Sequence, residues 1–142
     1  MILCDVNVLL YSARCDSANH EDYRQWLTGI AGSNASFGIS EFVFSSFLRI
    51  ITRVGVYQIP STLDEALSFI TSLRERPNCV VISPGPRHWD IFVELCRKAN
   101  ARGNLVPDAY PAALAIESGS EWITTDRDYA RFPGLRWRHP FE

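Results

Sequence analysis

Met1-Ile2-Leu3-Cys4-Asp5-Val6-Asn7-Val8-Leu9-Leu10-Tyr11 opens the chain with an apolar run broken by one carboxylate and one amide. Ile2 to Val6 is short and apolar, the pattern of a buried first strand, and it ends at Asp5-Val6-Asn7. Val8-Leu9-Leu10-Tyr11 stays apolar and starts a short helix. A carboxylate beside an otherwise apolar strand costs stability unless it is partnered. Asp5 is therefore a candidate site residue from the outset.

Outward from this strand, the spacing of apolar residues switches repeatedly between strand and helix. His20 to Ile30 carries Tyr23, Trp26, Leu27 and Ile30 at helical intervals, and Gly32-Ser33-Asn34 stops it. Ala35 to Ile39 is a short strand, and Ser40 is placed to cap a largely apolar helix over Glu41 to Thr52. Beyond the Gly55 to Pro60 linker, Thr62 and Glu65 fit a capping box ahead of Ala66, Leu67, Ile70 and Leu73. Cys79 to Ile82 reads as a strand and Arg87 to Asn100 as a helix. A further helix is predicted from Asp108 to Ser118, closed by Gly119. Trp122 to Thr125 is the next strand, Asp126 to Phe132 a turn or short helix, and Leu135 to Trp137 a final strand. Such alternation predicts one three-layer α/β/α domain over residues 1–142, with a mainly parallel central sheet and right-handed crossovers.

Composition narrows the function classes. The chain is 46% hydrophobic and 21% charged, as in an ordinary globular protein. No stretch reaches the ~18 apolar residues of a membrane span, and no signal-peptide pattern is visible, so a cytoplasmic location is expected. Cys4, Cys15, Cys79 and Cys96 lack C-x-x-C spacing, which argues against a zinc knuckle or redox pair and for buried reduced thiols. His20, His88 and His139 follow no ligand spacing, and the first two are expected at solvated helix starts. No G-x-S-x-G elbow or glycine-rich phosphate loop occurs. The formal net charge of −2 creates no global field for nucleic acid, so any RNA contact must be local.

In open α/β sheets, ligands bind outside the carboxyl ends of the strands. That rule selects Asp5 after the first strand, Glu41 after the second, Asp126 after the Trp122 strand, and Asp108 at a helix start. Taken singly, Glu41 and Asp108 are equally explained by the helix macrodipole, worth ~0.3–1 kcal/mol, and Asp126 as a turn residue. Together, four carboxylates on one rim repel one another, and a hard divalent cation with oxygen ligands resolves that repulsion. An acidic rim without His or Cys partners points to phosphoryl chemistry more than to zinc hydrolysis.

The same residues carry a resemblance. Asp5-Val6-Asn7-Val8-Leu9-Leu10-Tyr11 resembles the D-x-N opening of PIN domains. Ala101-Arg102-Gly103-Asn104-Leu105-Val106-Pro107-Asp108-Ala109 is similar to the central acidic motif of VapC-type toxins, and Thr124 to Leu135 to their C-terminal signature. Phe47-Leu48-Arg49 and Pro84-Gly85-Pro86-Arg87-His88-Trp89 fit the same group, so the likeness covers nearly the whole chain. It implies a PIN fold, a Mg²⁺- or Mn²⁺-dependent endoribonuclease acting on tRNA- or rRNA-class targets, a VapB-type antitoxin that blocks the acidic pocket, and a homodimer. It assigns Asp5, Asp108 and Asp126 to metal binding, Asn7 to ordering the site, and Asp128 to a supporting acid.

Two departures stand out. The family's second acid lies beside Phe47-Leu48-Arg49, where this chain has Ser46. Glu41 is five residues earlier, and five residues turn a helix by roughly 500°, so the two do not share a face. Glu41 is expected to serve from the helix start. Pro111 is the second departure, and it loses no hydrogen bond if the helix begins at Asp108. Arg127, Arg131, Arg136 and Arg138, interleaved with Tyr129, Phe132 and Trp137, could hold phosphates and stack bases, although Phe132 and Trp137 read better as core. A non-catalytic PIN module that binds an antitoxin or RNA is the alternative, and a structure-specific DNA nuclease on a related fold is another.

Overall fold

A computed structural model describes all 142 residues. Its centre is a five-stranded sheet in the order β3-β2-β1-β4-β5, with every neighbouring pair parallel. The strands are β1 (Ile2–Cys4), β2 (Phe37–Ile39), β3 (Cys79–Val81), β4 (Glu121–Ile123) and β5 (Trp137–Arg138). Helices α1 (Val6–Ala13), α2 (His20–Gly32), α3 (Glu41–Ile51) and α4 (Leu63–Arg74) pack among themselves, and α5 (His88–Lys98) pairs with α6 (Leu105–Ser118). A 3₁₀ turn spans Arg127–Arg131. The sheet between helices is the predicted α/β/α arrangement. No helix is long and apolar enough to cross a membrane.

The chain runs from β1 outward through β2 and β3, then returns to β4 on the other flank of β1. The order therefore reverses between β1 and β4, where Leu3 pairs with Trp122 and Cys4 with Ile123. This reversal leaves a crevice at the strand ends, since the connections after β1 and β4 diverge. The core fills the layers on either side of the sheet. Leu3, Val8, Phe47, Ala109, Ala112, Ala113, Trp122 and Ile123 are fully buried. Small residues on α6 let that helix lie close against β4. Gly38 in β2 has the same origin: a Cβ there would meet Ile82 Cγ1 at 3.0 Å and the Ile2 carbonyl at 3.1 Å.

Most element ends follow from local chemistry. The Thr62–Glu65 capping box forms at α4, and Gly119 closes α6 at φ +68°. The Pro84-Gly85-Pro86 segment is tied down from afar, since the Glu117 carboxylate accepts the Gly85 N–H at 2.6 Å and the Arg87 N–H at 2.9 Å.

Three local expectations are corrected. Helix α6 begins at Leu105, because the N–H groups of Leu105 and Val106 bond back to Arg102 and Gly103 and wind the preceding turn into it. Pro111 therefore lies inside the helix, and the carbonyl of exposed Pro107 loses its helical donor. His88 is buried rather than solvated, with its Nε2–H donating to the Tyr110 carbonyl at 2.9 Å. The four cysteines are unpaired, but only Cys4 is fully buried, its thiol pushed up to about 12 chiefly by desolvation; Cys15 is exposed.

Candidate functional site

Asp5 caps α1 from the end of β1 and is only 6% exposed. Its Oδ1 accepts the Val6 N–H at 2.6 Å, and its Oδ2 accepts the Thr124 hydroxyl at 2.6 Å. Thr124, fully buried just past β4, also accepts the Asp126 N–H at 3.0 Å and the Asn7 amide at 3.4 Å. One hydroxyl thus joins the ends of β1 and β4 across the switch point. Asp126 in turn caps the 3₁₀ turn, its Oδ1 accepting the Asp128 N–H at 2.9 Å.

Asp108 reaches the same crevice from the first turn of α6. A cavity of about 290 Å³ opens there, with Asp5, Asp108, Ser46, Arg49, Asn104 and Tyr129 in its wall. The carboxylates feel one another. Burial pushes Asp5 up to about 6; its two hydrogen bonds oppose the rise, and the charges of Asp108 and Asp126 add to it. Asp108 is also raised, first by burial and then by Asp126 and Asp128. Burial raises the Tyr129 phenol as well, and the charges of Asp5, Asp108 and Asp126 push it the same way. A neutral phenol and two reluctant carboxyls share one wall.

This donor set is all oxygen and electrostatically frustrated, which suits a hard divalent cation. The side chains as they stand do not gather three acidic, histidine or cysteine groups tightly enough to cage an ion. Mg²⁺ needs only one or two carboxylates and completes its coordination with water, so Asp5 and Asp108 fit it without a closed cage.

The sequence-selected residues divide accordingly. Asp5 and Asp108 share the cavity wall, and Asp126 adjoins it through Thr124. Glu41 is not brought there. Its carboxylate is exposed and pairs with Arg74 of α4 at 3.2 Å, while Ser46, five positions on, faces the cavity. The helical phase that separates the two residues decides this. Tyr129 and Phe132 are buried at 3% and 2% exposure, so neither is free to stack a base. Among the arginines near the C-terminus, Arg138 is engaged with Glu121 at 2.6 Å and Arg127 with Glu142 at 3.6 Å. Thr124 and Arg49 were not singled out for roles, although Thr124-Thr125-Asp126 and Phe47-Leu48-Arg49 both stood in recognisable motifs.

A parallel sheet with buried Asp5 and partly buried Asp108 and Asp126 at its switch point defines a class of α/β proteins with an acidic crevice. The profile of the PIN domain matches residues 2–135. Ribonuclease VapC43 of Mycobacterium tuberculosis H37Rv is 37% identical over 142 residues, covering 100% of this chain and 97% of that protein. Ribonuclease VapC25 of the same strain is 38% identical over 140 residues, 99% of each chain. The chain belongs to the PIN-domain family, among its VapC-type members. Solved structures share the fold at lower identity. VapBC2 from Rickettsia felis, bound to a DNA fragment from its promoter, superposes with a TM-score of 0.71 at 18% identity over 98% of both chains. M. tuberculosis VapC20, described as a sarcin-ricin loop cleaving toxin, gives 0.65 at 15% identity over 96% of this chain and 99% of that one.

Proposed function

We propose that this protein is the toxin of a toxin–antitoxin pair, a divalent-metal-dependent endoribonuclease acting through one domain over residues 1–142. The observation that carries the reading is the acidic crevice at the β1/β4 switch point of a PIN fold. Asp5, Asp108 and Asp126 would hold the ion, Mg²⁺ or Mn²⁺, with Asn7 and Asp128 in support. When bound, such an ion supplies charge stabilisation on a phosphate and activation of a water for in-line attack. The chain's own residues do the positioning. Thr124 fixes the rotamer of Asp5 and the backbone of Asp126 together, Asn7 steadies Thr124, and Tyr129 closes the cavity floor with a group that stays neutral. Glu41 is outside this assignment, because it is exposed beside Arg74 and does not line the Asp5–Asp108 cavity.

A VapB-type antitoxin is the proposed protein partner, supported by solved VapBC complexes that share the fold. A homodimer and an RNA substrate complete the proposal. The test is incubation of purified protein with total RNA and Mg²⁺ or Mn²⁺. Cleavage is expected, EDTA should stop it, and Asp108→Asn should abolish it without unfolding the protein. Full nuclease activity in purified Asp108→Asn would refute the assignment. Undiminished growth of bacteria expressing the soluble, metal-supplied protein would favour a non-catalytic binding module.

A further inference from the structure

We propose that Arg49 is a substrate-binding residue, seating a phosphate of the RNA on the α3 wall of the acidic cavity, apart from the carboxylates of Asp5 and Asp108. The inference rests on the ribonuclease reading and deepens it. Phe42, Val43, Ser46, Arg49 and Ile50 recur at intervals of three and four residues, so one stripe of α3 faces the cavity. Arg49 is the only basic residue in that wall. It lies exposed in the last turn of the helix and forms no ion pair. Ser46 stands one turn earlier on the same stripe. The α3 side of the cavity thus presents a hydroxyl and a guanidinium, and no acid.

Charge decides what this stripe can serve. A guanidinium stays protonated, offers donors only and repels a divalent ion, so it cannot extend the Asp5–Asp108 site. Nor is Arg49 an internal counter-ion, because the charges that shift Asp5 and Asp108 are those of other aspartates. Its N–H donors are left for an anion brought from outside, and the anion that RNA cleavage brings is a phosphodiester. Asn104, ahead of α6 in the same wall, makes no side-chain cap bond and adds an amide donor. The helix macrodipole favours a cation in the last turn of α3. That local effect accounts for a basic residue near the end of the helix, but not for its facing the cavity without a partner.

The experiment measures two affinities of the full chain that should move in opposite directions. Fluorescence anisotropy of a fluorescein-labelled RNA oligonucleotide in EDTA, from about 50 to about 300 mM KCl, reads the phosphate contacts. Isothermal titration with Mn²⁺ in the absence of RNA reads the charge of the cavity. Arg49→Ala is expected to weaken RNA binding by ~5–10-fold at the lowest salt. It should also lower the slope of log K against log salt by about 0.7, the value of one single-strand phosphate contact. The same variant should bind Mn²⁺ about two- to threefold more tightly, because a repelling charge has gone. Arg49→Lys should keep the slope to within about 0.2. Arg53→Ala, one turn further on, exposed and outside the cavity, should change neither quantity. A full salt slope in Arg49→Ala would overturn the proposal, as would an Mn²⁺ affinity that does not rise. An equal loss of slope in Arg53→Ala would overturn it too, since RNA would then feel a diffuse field and not a seat in the cavity. Cleavage with Mg²⁺ separates the two readings. If the wild type cuts RNA while Arg49→Ala keeps the full slope, only the phosphate seat fails; if the wild type neither cuts nor binds RNA, both fail.

Discussion

Asp5 is where the site can be tested without any substrate. Its carboxyl is only 6% exposed and holds its proton to about 6, against an ordinary value of 3.8, mainly because burial penalises the charge. Between those two values the folded chain binds more proton than the unfolded chain, so stability falls as pH rises. The contribution is fully present below 3.8 and lost by the time pH has risen through about 6. At 1.36 kcal/mol per pH unit, the interval is worth about 3 kcal/mol. Asp5→Asn cannot ionise and removes this slope. It also weakens the bonds to Thr124 and Val6, at a cost of about 1–3 kcal/mol, but that cost does not vary with pH. Urea unfolding of both proteins in EDTA, at intervals from pH 4 to pH 7, isolates the term. The wild type should lose roughly 2 kcal/mol or a little more of that total relative to Asp5→Asn between pH 4 and pH 7, since Asp5 in the unfolded chain is already partly ionised at pH 4. A difference that stays constant within about 0.5 kcal/mol would refute the claim that Asp5 ionises at a cost in the fold. At pH 7, Mg²⁺ or Mn²⁺ should stabilise the wild type more than the variant, because the variant lacks the Asp5 carboxylate and keeps only those of Asp108 and Asp126.

Thr124→Val removes the hydroxyl shared by Asp5, Asp126 and Asn7, and should cost about 1–3 kcal/mol in urea unfolding. Its RNA cleavage should drop by ~10–100-fold, as for supporting residues of metal sites; wild-type cleavage would show that the network only packs. Ser46→Glu sets a third carboxylate in the cavity wall, so isothermal titration with Mn²⁺ should give tighter binding, and weaker binding would count against Ser46 facing the ion. Glu41→Gln leaves the cavity untouched and breaks only an exposed pair with Arg74, so stability should move by less than about 1 kcal/mol and cleavage by under about twofold. A tenfold loss of cleavage would return Glu41 to the site.

Element identity was legible in the chain because the forces that set it are local. The Thr62–Glu65 box, the β-branched Cys79 strand and the Gly119 stop each act within a few residues, and each formed as read. The parallel sheet followed from strands alternating with helices long enough to cross it. Asp5 announced itself by being charged in an apolar run. Element ends were less legible, as at α6, where a turn from Arg102 to Val106 extended the helix and moved Pro111 into its interior.

What required the tertiary structure was convergence. The hydroxyl that positions Asp5 lies 119 residues away, and no local periodicity encodes that meeting. Whether Glu41 or Ser46 faces the cavity depends on the rotation of α3 against the sheet. The sequence held the phase difference between them, but the orientation was set by burying Val43, Phe44 and Phe47. The aromatic residues divided in the same way. Tyr129 and Phe132 are drawn into the core behind the site, while Phe42 and Trp89 remain outside. Composition treats these four rings alike; burial is a property of the whole packed chain, because apolar area leaves water only where another element arrives to cover it.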